Sequence, residues 1–357
     1  MSESGISLRD EYAGHVRRKL LVGGVLVALV AVASAVSLRT GAYPLGFREI
    51  AAVLAGRETG PATHVFWNIR VPQVLAALLA GGCLGLAGTA MQNVLRNPLA
   101  SPFTLGVSQG AVFGAVFAIV VLGAGTAAAT GPERGAAGSP HAIVACAFAG
   151  SMITVGALVL LSALRELSPV ALILAGVAFS AFFAAATMLL QYFASDVQIA
   201  SAVFWTFGDL RKARWPELAA IAAVTAPAAG FFLCKSWQFN AMVWGDDTAR
   251  SLGVAVGSLR LAALVLAALA ASVTTAFMGI IGFAGLIAPH AVRMMVGSDH
   301  RFLFPCAALG GALLLLVADL LARTVMAPVV LPVGILTSFA GAPLFLYLLA
   351  RKGSVTS

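Results

Sequence analysis

The sequence predicts an all-α polytopic membrane protein of about ten transmembrane helices, the eighth of them short and broken. Three observations carry that expectation. Hydrophobic residues make up 60% of the chain and charged residues 10%, and the mean hydropathy is +0.97; a soluble domain carries about 25% charge. Uncharged runs long enough to cross a bilayer recur along the whole chain, separated by short segments in which Pro, Gly, Arg and Asp gather. At about 20 residues per span plus short connections, 357 residues hold on the order of ten helices in one domain and leave no length for a soluble one.

Composition also excludes several functions. No GxxxxGK[ST] pattern occurs, so any nucleotide chemistry must belong to a partner. The four cysteines, Cys83, Cys146, Cys234 and Cys306, stand alone in apolar stretches without metal-ligand spacing and are expected to pack the core. A net charge of +8 is scattered between hydrophobic spans and reads as membrane topology; nucleic acid is not expected as a partner.

Residues 1–19 are polar and end in Arg17-Arg18-Lys19, which holds the N-terminus in the cytoplasm ahead of helix 1, Leu20 to Leu38. Residues 39–69 lie outside as irregular structure marked by Gly41, Pro44 and Pro61. Helix 2 runs from Val71 to Leu95, with Gly81, Gly82, Gly85 and Gly88 allowing close helix contacts. At Arg96-Asn97-Pro98 the chain turns back, because Pro98 lacks a donor and restricts Asn97. Ser101-Pro102 caps helix 3, which extends to Leu122. A Gly/Ala-rich outer loop leads to helix 4, His141 to Leu164, and Arg165 to Pro169 forms an inner turn. Helix 5 covers Val170 to Phe193. The stretch from Ser195 to Pro216 mixes charges with Trp205 and Trp215 as an interfacial outer segment, and helix 6 spans Glu217 to Cys234.

The loop Lys235 to Arg260 is the longest internal connection. Helix 7 runs from Leu261 to Phe277, Gly279, Gly282 and Gly285 interrupt the run, and a half-length helix 8 ends at Val296. Helix 9 covers Phe302 to Leu321 and helix 10 covers Leu331 to Ala350, returning Arg351-Lys352 to the inside. On this topology 13 of the 22 Lys and Arg lie inside and 9 outside, a bias of the expected sign.

Within the inner loop, Gly245-Asp246-Asp247-Thr248-Ala249-Arg250-Ser251-Leu252-Gly253 reads as a short helix, with Asp246 or Asp247 as its cap and Gly253 as a left-handed stop. On composition alone this is a solvated surface turn. Asp319 is the one acid deep in a hydrophobic run; Arg323, four residues on, is its expected ion-pair partner at the outer end of helix 9. His290, Asp299 and His300 fall at the inner boundary. No set of His, Cys and carboxylates converges as a metal site, and no nucleophile-base pair lies in a span, so neither a bound metal nor an intramembrane enzyme is expected.

Two groups of ordered residues carry a resemblance covering roughly residues 45–350. One is Gly88, Gln92, Arg96-Asn97-Pro98-Leu99-Ala100, Pro102, Leu105-Gly106-Val107 and Gly110-Ala111. The other runs from Gly282-Phe283-Ala284-Gly285-Leu286 through Pro289-His290, Arg293, Gly297, Asp299-His300-Arg301, Ala318-Asp319, Arg323 and Leu331-Pro332-Val333-Gly334 to Gly341-Ala342-Pro343. Both are similar to the FecCD family, permease subunits of ABC importers for iron-siderophores, haem and cobalamin.

The resemblance implies the type II importer permease fold, with a cytoplasmic segment at 1–19, a permease domain at 20–350 and a cytoplasmic tail at 351–357, in a bacterial inner membrane. It implies that the segment carrying Asp246, Asp247, Arg250, Leu252 and Gly253 couples to a partner ATPase, which binds ATP and Mg. It further implies docking of a binding protein through an exposed Arg70 and Arg323, although the family pattern has Arg where this chain has Gln73, and Glu where it has Val330. A two-fold dimer of permeases, two ATPase subunits and a binding protein complete the implied assembly, with helices 5 and 10 along the pathway. Ferric siderophore is the expected substrate, with haem and cobalamin as alternatives. An ion-coupled secondary transporter is the competing class, disfavoured by the scarcity of acids in the spans.

Overall fold

The computed structural model describes residues 8–41, 43, 45–125, 140–164 and 168–353. The predicted turn at 165–167 and most of the loop before Pro140 lie outside these residues. Helices dominate, and among the described residues the one β feature is a parallel bridge between Phe207 and Ile280. Among the described residues seven helices are long and apolar enough to cross a membrane, and three shorter apolar helices accompany them. These sit where the ten predicted helices lie.

The first helix, α1 (Leu8–Arg39), begins well before the expected Leu20, so the basic cluster is itself helical. Residues 39–69 are not irregular as expected. They form α2 (Phe47–Leu54), α3 (Pro61–Val65) and a π-helical turn at Phe66–Arg70 that runs directly into α4 (Val71–Val94). Pro61 opens α3 at a position where its missing donor costs nothing.

Predicted helix 3 is also corrected. A 3₁₀ turn at Pro102–Leu105 is separated from α5 (Val107–Val120) by Gly106 at φ 81°. At about 1.5 Å per residue, α5 is too short to cross alone.

The chain continues through α6 (Pro140–Leu164), α7 (Pro169–Tyr192), α8 (Asp196–Thr206) and α9 (Trp215–Cys234). The long loop resolves into α10 (Ser236–Val243) and α11 (Asp246–Ser251), after which α12 (Val256–Met278) starts five residues earlier than expected. The broken helix 8 is α13 (Ala284–Val296), entered from Phe283 at φ 62°. Finally α14 (His300–Thr324) and α15 (Val333–Gly353) match predicted helices 9 and 10.

The hub is α4, packed along α14, α12, α13 and α9. Its glycines explain how. A Cβ added at Gly81, Gly85 or Gly88 would run into the backbone carbonyls of Gly311, Ala307 and Gly285, so α4 meets α14 and the start of α13 backbone to backbone. A second close contact joins α5 to α6, where Gly110 faces Gly150 and Gly114 faces Cys146. The outward face of α1 leaves Leu20, Leu21, Val25 and Val32 exposed, the apolar surface a bilayer solvates. Cys83 and Cys306 are buried as expected, whereas Cys234 is exposed and packs no core.

Candidate functional site

One end of the bundle is built by the turn after α4. Its amides bond backwards, Arg96 N–H to Asn93 O at 3.0 Å and Asn97 N–H to Gln92 O at 3.2 Å. The Asn97 side chain accepts from Leu99 N–H at 2.8 Å. Pro98, with no N–H to place, fits between them. This winding puts Arg96 at φ 47°, a left-handed conformation uncommon for a side chain other than Gly, and aims its guanidinium across at α11.

There the two predicted site segments become one. Arg96 Nη2 lies 2.5 Å from Asp246 Oδ1, and Arg260 Nη2 lies 2.9 and 2.8 Å from the two carboxylate oxygens. Arg260 Nε donates to Val94 O at 2.9 Å, the last carbonyl of α4. Asp246 is therefore held between two guanidinium groups, one from the turn after α4 and one from the second turn of α12. Burial alone would raise its carboxyl, but the hydrogen bonds and charge of Arg260, with Arg96 and Arg250, outweigh this and hold it below its ordinary value.

The expected cap is corrected. Neither Asp246 nor Asp247 is the N-cap; Gly245, at φ 116°, occupies that position, and both acids sit in the first turn near the positive helix end. The expected stop is as read. Gly253 is left-handed at φ 81°, Val254 N–H bonds to Ala249 O at 3.0 Å and Gly253 N–H to Arg250 O at 2.9 Å, the paired closure of a Schellman end. Ala249 and Val254 anchor α11 in the core beside Val94, Leu95 and Leu259. Asp247, Arg250 and Leu252 face out; Arg250 pairs with Asp247 at 3.0 Å, and Leu252 is 52% exposed beside Trp244 at 78%.

A second knot lies at the same end. Asn240 on α10 donates to Asp299 at 2.9 Å and accepts from His300 N–H at 2.7 Å, while Arg301 and Lys19 reach the same carboxylate at 2.8 and 3.7 Å. Burial would raise the Asp299 carboxyl, but the bonds from Arg301 and Asn240 hold it well below the usual range. Tyr12, in the second turn of α1, accepts from Arg301 Nη2 at 3.4 Å, so the turns ahead of Leu20 touch α14.

At the opposite end of α4, Asp319 pairs with Arg323 at 2.8 Å as expected, and Gln73 Nε2 donates to Asp319 at 2.8 Å. Arg70 and Arg323 do not form the exposed fork that was expected. They are 5% and 8% exposed and turn onto the end of α1: Arg323 donates to Thr40 O at 2.9 Å and to the Ser37 hydroxyl, and Arg70 donates to Thr40 O and, at 3.2 Å, to Tyr43 O. Both guanidinium groups line a cleft of about 690 Å³ with Gln73, Arg211 and Val330. Gln73 thus has a partner within the chain.

Two features escaped sequence reading. Arg260 stands at a loop edge in the sequence; a lone cation between Leu259 and Leu261 signals a buried partner but does not name it. Asn240 carries no sequence signal at all. Among the described residues no three His, Cys, Asp or Glu side chains gather to hold a metal.

A family model described as the FecCD transport family matches residues 29–351. A candidate ABC transporter permease protein of Methanocaldococcus jannaschii is 49% identical over 346 residues, covering 97% of this chain and 99% of that protein. The hemin transport system permease protein HmuU of Yersinia pestis is 38% identical, covering 95% and 98%, and the vitamin B12 import system permease protein BtuC of Escherichia coli is 35% identical, covering 84% and 88%. Among solved structures, a candidate metal-chelate type ABC transporter in an inward-facing conformation superposes with a TM-score of 0.79 at 30% identity, over 92% of this chain and 99% of that one.

Proposed function

The chain belongs to the FecCD transport family as a multi-pass ABC importer permease, and from that premise we propose that it pairs with a second copy of itself to carry a ferric siderophore complex across the cytoplasmic membrane, powered by two ATPase subunits. Both termini and the end bearing Arg96, Asp246 and Asp299 face the cytoplasm, as the distribution of basic residues favours. ATP and Mg bind the partner subunits. A substrate-binding protein delivers the chelate to the end bearing Arg70 and Arg323, whose guanidinium groups line the cleft there.

The observation that carries this reading is α11. A six-residue helix, closed at both ends by glycine and anchored by Ala249, presents Asp247, Arg250 and Leu252 to solvent. Arg250 and Asp247 on that face pair with each other, and its mix of one apolar and two charged side chains suits a groove on another protein. A metal chelate is favoured over a bare ion because no cluster of ligating side chains gathers among the described residues. The apolar faces of α7 and α15, with Phe182 and Phe339 outward, offer the surface for the second copy.

The test is reconstitution in vesicles with a partner ATPase and binding protein. Uptake of a ferric siderophore, with no uptake of haem or cobalamin, is the expected result. Uptake of haem or cobalamin instead would replace the substrate, and uptake driven by an ion gradient without ATP would overturn the class.

A further inference from the structure

We propose that Arg260 is the residue that transmits movement of α11 into the membrane, by locking Asp246 to the end of α4. This rests on the permease reading above and names the connection that reading requires. A six-residue helix on a short tether could yield locally when pushed, and the push would go no further. Three facts of geometry prevent that here. The backbone closure at Gly253 and Val254 leaves only Leu252 to Ala255 between α11 and α12. Arg260, on the second turn of α12 with a side chain 13% exposed, donates to both oxygens of Asp246 and, through Nε, to Val94 O at 2.9 Å. Arg96 grips the same carboxylate from the far side of the α4 turn at 2.5 Å.

One carboxylate therefore ties α11, α12 and the end of α4 into a single piece, and α4 is the hub. Its backbone contacts with Gly311, Ala307 and Gly285 leave no slack to absorb a displacement. The division of labour between the two arginines follows from exposure. Arg96 is 43% exposed at its side chain and supplies charge, whereas Arg260 alone contacts both the carboxylate and a helix-end carbonyl. Lysine at 260 could hold either contact but not both, since it lacks the planar fork.

Arg260 is a positioning residue, so its test separates transmission from assembly. Wild type, Arg260→Gln and Arg260→Lys are each assembled with ATPase and binding protein in vesicles. Co-purified ATPase, ATP hydrolysis, chelate uptake, and amide hydrogen exchange on adding ATP with vanadate are measured.

For Arg260→Gln the expected result is uptake reduced about tenfold or more, through loss of the charge-assisted bonds to Asp246 and the bond to Val94 O. ATPase capture and hydrolysis stay within about twofold of wild type. Arg260→Lys falls between. ATP changes exchange at both 246–253 and 91–97 in wild type, but at 246–253 alone in Arg260→Gln. Loss of ATPase capture in parallel with uptake would overturn the inference, making Arg260 a shaper of the docking face; unchanged uptake with exchange still reaching 91–97 would overturn it too. A wild-type chain that captures ATPase and shows both exchange changes but moves no chelate faults the substrate alone. One that captures no ATPase faults the permease reading and the inference with it.

Discussion

A carboxylate among leucines has to be compensated side chain by side chain, and Asp319 illustrates the terms. Removing one partner of a buried ion pair strands the other, at about 3 kcal/mol or more, while loss of a neutral donor costs about 1 kcal/mol. Asp319→Leu is therefore expected to lower the thermal unfolding midpoint in detergent several times further than Gln73→Met, because it leaves Arg323 buried against Ser37 and Thr40 with no counter-charge. Equal shifts would mean the pair contributes no more than the neutral bond. At the other end, the folded Asp246 carboxyl titrates below its ordinary 3.8. Its contribution is thus complete above that value and is lost as pH falls through the folded pKa. The stability difference between wild type and Asp246→Asn is expected to stay level from pH 7 to about 5 and to close only on acidification below 3.8; a difference that closed near neutrality would assign the effect to another group. The Asp319–Arg323 pair was legible in the sequence because an i,i+4 spacing on one helix fixes the partner. The Asp246–Arg260 pair was not, since its partners belong to different helices and only the folded turn between them brings them together.

Among the helices, the glycines divide into those that touch and those that do not. Gly88 meets the Gly285 backbone, whereas a Cβ at Gly156 on α6 meets nothing within 4 Å. Gly88→Ala is expected to destabilise by about 1–3 kcal/mol through forced separation of α4 and α13, while Gly156→Ala is neutral or stabilising by about 1 kcal/mol through helix propensity. Thermal midpoints of the two single variants check this, and similar shifts would deny the close contact. For α11, Gly253→Val strains the left-handed stop and Leu252→Asp removes the exposed apolar side chain. Both are expected to insert normally and still engage the binding protein, with reduced uptake and reduced stimulation of the ATPase; full uptake by both would return the segment to an ordinary surface turn. Helix positions were legible wherever a long uncharged run ended in Pro or Gly. Failures came where the signal was ambiguous. Gly106 inside an apolar run looks like a tolerated helical glycine until its φ is known, and α2 and α3 are too short for periodicity to separate from loop.

Taken whole, the chain is a bundle around one helix, and its orientation makes a direct test. Single cysteines at the exposed positions 96 and 250 are expected to label from the cytoplasmic side, and those at 48, 57 and 211 from the other side, in a background without the native cysteines. Labelling of 250 from outside would invert the arrangement. The bundle was predictable because membrane-length runs are set by bilayer thickness; which helix stands at the centre was not, since Gly and Ala at three- and four-residue spacing say that a helix is approached closely without saying by what. That central helix also orders events in time. Three polar side chains on α4 find their partners only in later segments: Asn93 at Phe239 O, Gln92 at Leu286 O, and Gln73 at Asp319. A ribosome that has just delivered α4 to the membrane has therefore made a helix whose side-chain amides lack their folded partners, and about 225 more residues are synthesised before the last of them is satisfied. Early α4 should linger beside the insertion machinery, and chains cut short before α14 should be the ones that quality-control proteases find.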